Sequence, residues 1–87
     1  MTKALKNEIK REAQKAMKEN GMKVFQKDII LLECGYGYEN FLGTKILIVD
    51  YVMFEDKKTG RQWQCAYGER HYNPELNTLW EVNEYVD

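Results

Sequence analysis

His71, Cys34 and Cys65 are the side chains in this sequence best suited to move a proton, attack a carbonyl or hold a metal. His71 is the only histidine, and imidazole is the one side chain whose unperturbed pKa falls near neutrality. It sits in the polar run Gly-Glu-Arg-His-Tyr-Asn, residues 68–73, where a lone histidine reads as a solvated residue and not as a general acid or base. Thirty residues separate the two cysteines, so they make no Cys-x-x-Cys pair and, with His71, no zinc or nucleophile signature. The expectation is two reduced packing thiols, with no metal, no cofactor and no catalytic residue. Glu55 and Asp56 flank a turn and read as solubilising charges, because a carboxylate pair for glycoside chemistry needs a cleft that a chain this small can hardly form.

The stretch ECGYGYENFLG, Glu33 to Gly43, is the nearest approach to a motif. A dinucleotide fingerprint requires Gly-x-Gly-x-x-Gly between a strand and a helix, so that backbone N–H groups and the helix dipole face a pyrophosphate. Gly35 and Gly37 supply the first two glycines, but Asn40 occupies the third position and a strand follows instead of a helix. Gly43-Thr44-Lys45 has the wrong order for a Walker loop. The segment reads instead as a turn-forming loop that presents Tyr36, Tyr38 and Phe41 outward. With Tyr72 on a second loop, these rings are the expected contact surface for a protein partner, since tyrosine buries a large rigid area and keeps a polar tip.

Those side chains need a scaffold, and the pattern supplies one helix and about four strands. Thr2 is an N-cap, and Leu5, Ile9, Ala13, Ala16 and Met17 share one helical sector before Asn20-Gly21 closes the element. The stripe is narrow and rich in alanine, which predicts a helix over about 2–20 lying close against a sheet as a lid. Residues 28–34, 45–55, 61–68 and 78–86 are rich in β-branched and aromatic residues and read as strands. Asp56 to Gly60, DKKTG, is a hairpin connection that makes the second and third strands antiparallel neighbours. The second strand is apolar at nearly every position from Ile46 to Phe54 except Asp50, which suggests a central strand covered on more than one face, with the helix on one side and either a partner or a loop on the other. Asn73-Pro74-Glu75 also suits a helix start, but Trp80, Val82 and Val86 alternate, so the segment is assigned as turn then strand. The fold class expected is α+β: one N-terminal helix on an antiparallel meander with the sheet over about 28–86, in one domain spanning 1–87.

Composition narrows the function classes. The 87 residues are 44% hydrophobic, 13% aromatic and 31% charged, enough for a small core and a charged surface and unlike a disordered chain. The N-terminus lacks an apolar run of the kind that leads secretion or spans a bilayer, so the chain is expected to be cytoplasmic and free of membranes. Residues 1–20 carry six basic and three acidic groups, a net +3 that leaves −4 on the remainder. Lys3, Lys10, Arg11 and Lys18 gather on the back of the helix, while Glu8, Glu12 and Glu19 lie along one edge. Two functions compete on this evidence. The first is a nonenzymatic binding module acting on a protein partner, as an inhibitor or adaptor of a larger assembly. The alternative is a nucleic-acid binder using that basic helix back for phosphates, set against an acidic body with no nucleic-acid signature. A homodimer formed through an uncovered sheet face is a further option.

Overall fold

The computed structural model describes residues 1–68 and 72–86, so His71, with Glu69 and Arg70, lies outside the described residues. Helix α1 (Lys3–Glu19) leads through a short 3-10 turn at Gln26–Asp28 into four strands, β1 (Ile29–Phe41), β2 (Thr44–Asp56), β3 (Gln62–Tyr67) and β4 (Trp80–Tyr85). The strands form one antiparallel sheet in the order β1-β2-β3-β4, the meander that the sequence predicts.

The helix begins and ends where its local chemistry requires. Thr2 Oγ1 accepts the Leu5 N–H at 3.1 Å, satisfying one of the donors left over in a first turn. At the other end Gly21 takes φ +77°, its N–H donates to the Lys18 carbonyl, and the Met22 N–H donates to the Met17 carbonyl at 2.8 Å. This is the two-bond Schellman closure, and its usual hydrophobic contact is present, because Met17 is buried and Met22 packs against the same core. Two side chains then fix the helix end to β4. The buried Thr78 hydroxyl donates to Glu19 Oε2 at 2.7 Å and accepts the Trp80 N–H, and the Asn20 amide donates to the carbonyls of Ala16 and Trp80.

The core lies between α1 and one face of the sheet. Ile9, Ala13, Ala16 and Met17 from the helix meet Val52, Phe54, Cys65 and Trp80, all buried. Alanine at two of the four helix positions lets the helix axis approach the sheet closely, so the lid is thin and tight. Leu5, at the start of the stripe, is only half-buried.

The loop expected over Glu33–Gly43 is not a loop. β1 runs on to Phe41 and turns at Leu42 and Gly43, at φ +50° and +80°, into β2. Two consecutive positive φ values make the tight two-residue hairpin connection whose twist matches its strands. The glycines that suggest a loop occupy strand positions. A Cβ on Gly35 would meet Asp50 Oδ1 at 2.6 Å, so glycine leaves room for that carboxylate. Asp50 is itself an extra residue, because the β1–β2 register slips between Gly35 and Tyr36, and a second slip between Leu31 and Glu33 makes Leu32 extra on β1. Each bulge reverses which alternate residues face the helix. Val52 and Phe54 face it on one side of Asp50, and Leu47 and Val49 on the other; Ile46, Ile48, Tyr51 and Met53 on the opposite face are apolar as well, which is why β2 reads as apolar almost throughout.

β2 is central, as expected, but within the chain only one of its faces is covered: α1 packs on that side, and Ile46 and Ile48 on the other remain exposed. Residues 73–78 form a turn closed by a bridge between Asn73 and Thr78 and are followed by β4, so the turn-then-strand assignment holds. The cap on residue 73 is that of a turn: Asn73 Oδ1 accepts the Glu75 N–H at 3.1 Å.

Replacing Ile9 by Ala should destabilise the protein by about 2–4 kcal/mol, because it opens a cavity under the lid at a fully buried site. Leu5→Ala should be milder, about 1–2 kcal/mol, and equilibrium denaturation of both variants checks the ranking.

Candidate functional site

β3 pairs with β2 only from Tyr51 to Glu55, so the distal part of the β1–β2 hairpin projects beyond the four-stranded sheet as a two-stranded ribbon. Cross-strand pairing sets Tyr36 opposite Val49 and Tyr38 opposite Leu47, on the helix side of the ribbon. Val49 is buried and Leu47 packs on the core, while both tyrosines stay exposed. Their rings meet edge to face with centroids 6.4 Å apart, and Lys45 Nζ sits 4.5 Å from the Tyr38 centroid. At the tip Phe41 is 63% exposed and Leu42 is 91% exposed.

Tyr72 is elsewhere. It lies at the opposite edge of the sheet beside β4, where its hydroxyl donates to Asn77 Oδ1 at 3.1 Å and its ring lines a shallow pocket of about 360 Å³ with Asn20, Pro74 and Trp80. Tyr36, Tyr38 and Phe41 therefore share one projecting element, and Tyr72 does not belong to that surface. Sequence reading missed Leu42, Ile46 and Ile48 on the same ribbon. Leu-Gly is not one of the usual two-residue hairpin signals, and in an unbroken apolar run nothing local separates the isoleucines from the residues that face the helix.

The basic helix back also divides. Arg11 and Lys18 line a groove of about 770 Å³ between α1 and residues 22–24, together with Lys15 and Lys23 over a floor of Met22 and Val24. The Gln14 side chain donates to the Val24 carbonyl at 3.1 Å and holds the groove's far wall. Lys3 and Lys10 do not line it. Lys23 and Lys27 approach the exposed Phe25 ring, at 5.0 and 5.9 Å from its centroid, and carry the positive surface past the groove.

No protein-family profile, curated protein or solved structure matches the chain. The site is read from its own chemistry.

Both thiols are free, and both face the helix beside Val52, Cys34 from β1 and Cys65 from β3. With one strand between them their Cα atoms lie two strand spacings apart, roughly 9.5 Å, beyond disulfide reach. Burial pushes the Cys65 thiol up to about 12, so it stays protonated and is a poor nucleophile. Among the described residues no group of three or more His, Cys, Asp or Glu is placed to hold a metal ion, and no helix is long and apolar enough to cross a membrane.

Two tests follow from these environments. Alkylation of the native protein should modify half-buried Cys34 first and spare Cys65, while denaturation without reductant should expose both. Because the Cys65 pKa is raised in the folded state, its contribution to stability is complete below the unfolded thiol value near ~8.5 and is lost as pH rises toward 12. A Cys65→Ala variant should accordingly lose less stability than the parent between pH 9 and 11 in denaturant titrations. At the tip, Leu42→Asn should stabilise the fold by about 0.5–1 kcal/mol in thermal denaturation, because asparagine tolerates the left-handed backbone that leucine resists.

Proposed function

We propose that this protein is a nonenzymatic binding module that engages a protein partner through the projecting β1–β2 hairpin, as an inhibitor or adaptor of a larger assembly. The observation that carries the reading is the ribbon itself: Tyr36, Tyr38, Phe41 and Leu42 are all exposed on one element that extends past the core. Isolated exposed apolar residues are ordinary, but a cluster on a projecting element marks an interaction surface. Leu42 sharpens the point. It holds a backbone conformation better suited to glycine or asparagine, and the fold gains no burial from its side chain. Contact with a partner gives both features a use. The tyrosine pair adds rigid rings with polar tips, the usual centre of an interface.

Nucleic-acid binding is the second reading, and the groove bearing Arg11, Lys15, Lys18 and Lys23 favours it. Among the described residues no aromatic side chain lines that groove, and the exposed Phe25 ring lies beyond it beside Lys23.

Affinity capture from a lysate of the source organism, with and without nuclease, separates the two. The hairpin reading expects a protein that survives nuclease, is lost with Tyr36→Ala combined with Tyr38→Ala, and is retained when Arg11 and Lys18 are both replaced by Glu. Each tyrosine substitution alone should weaken binding by about 1–3 kcal/mol without unfolding the chain. Capture that depends on nucleic acid, falls steeply with salt and is abolished by the charge swap would transfer the function to the basic groove.

A further inference from the structure

We infer that the sheet face opposite α1 is a docking surface for a basic amphipathic helix of a partner protein. Pairing fixes which residues lie on that face. Along β2 they are Ile46, Ile48, Tyr51 and Met53, an apolar stripe in the middle of the exposed surface, with Ile46 and Ile48 each 39% exposed. The stripe spans about 23 Å at the usual strand rise, the length of roughly four helical turns. A helix laid on it would mirror α1, which covers the other face of the same strand.

Charge specifies the occupant. Among the described residues the four strands contain one cation, Lys45, and it points to the helix side beside Tyr38. The uncovered face carries Glu33 and Glu39 on β1, Glu55 on β2, and the Asp50 carboxylate lying over Gly35. Glu33 is close enough to Tyr51 that, after burial, its charge is the next cause raising the phenol's pKa. An apolar stripe flanked by acids, on a face whose described strand residues include no cation, matches a helix with Leu-like residues on one side and Lys or Arg along its borders.

The same pattern disfavours a second copy. A two-fold dimer formed through this face would bring two acidic surfaces together, with no cation among the described strand residues of that face to separate them. The inference stands apart from the tyrosine contact, because Tyr36 and Tyr38 lie on the helix side of the ribbon.

The probe is a synthetic 18-residue amphipathic peptide of Leu and Lys, with a control in which every Lys is replaced by Glu, each titrated into isotope-labelled full-length protein and followed by NMR. The Lys peptide should bind saturably, with shifts centred on Ile46, Ile48, Tyr51 and Met53. Glu33→Lys combined with Glu55→Lys should weaken it at least tenfold, and so should Ile48→Asp, while Tyr36→Ala combined with Tyr38→Ala leaves it unchanged. Circular dichroism confirms that each variant is folded. Equal binding of the Glu peptide, shifts centred on α1, absence of binding, or sedimentation of the free protein as a dimer that Ile48→Asp dissociates would overturn the inference.

Discussion

Everything in this molecule hangs on the contact between the small-residue stripe of α1 and the middle of the sheet. Ile9 and Met17 supply bulk, Ala13 and Ala16 supply closeness, and together they seal Val52, Phe54, Cys65 and Trp80 from water. A chain of 87 residues has apolar surface for one such layer and little more. The helix therefore cannot drift: its start is held by Thr2, its end by the Schellman closure, and its last turn is fastened to β4 through Glu19, Thr78 and Asn20. That fastening matters because β4 pairs only with β3 and closes the far edge of the core. At the same edge Arg61 grips Glu84 with two bonds of 2.6 and 2.8 Å and lies over the Trp63 ring, joining the start of β3 to the end of β4.

With a single layer fixed, the rest of the chain is free to serve as surface. The two sides of the sheet differ in kind. One is dry under α1, and the other exposes apolar side chains among carboxylates. The basic residues concentrate on the helix and on the segment that follows it, so the molecule is electrically polarised across its thickness.

The sequence makes the helix, its caps, the fold class and the antiparallel order legible, because each depends on local chemistry: a capping threonine, a 3.6-residue stripe, a glycine at the left-handed position, a turn between apolar runs. The hairpin was not legible in the same way. Alternating glycines and tyrosines at 35–38 satisfy a strand and a loop equally well on composition, and what makes them a strand is pairing with β2, which the local pattern does not contain. The unbroken apolar run of β2 shows that both of its faces are apolar, but not which residues share a face, because the phase changes at a bulge marked by the one polar residue in the run. Of the candidate contact residues, the three on β1 come together because they share a strand, whereas Tyr72 is carried to the far edge by the order of the meander, which no local pattern encodes.

β1 has a further bearing on how the protein behaves in a crowded solution. It is a 13-residue edge strand, and its outer row of N–H and C=O groups pairs with no other strand of the sheet. Such edges recruit strands from other chains, and proteins blunt them with lysine, proline or irregularity. β1 contains neither lysine nor proline. Its protection is the bulge at Leu32, which breaks the register, and the two glutamates, Glu33 and Glu39, which make an approaching copy of the same edge bring like charge against like. Those carboxylates are one of the two guards, so the colloidal stability of the protein is tied to the charge on this edge strand.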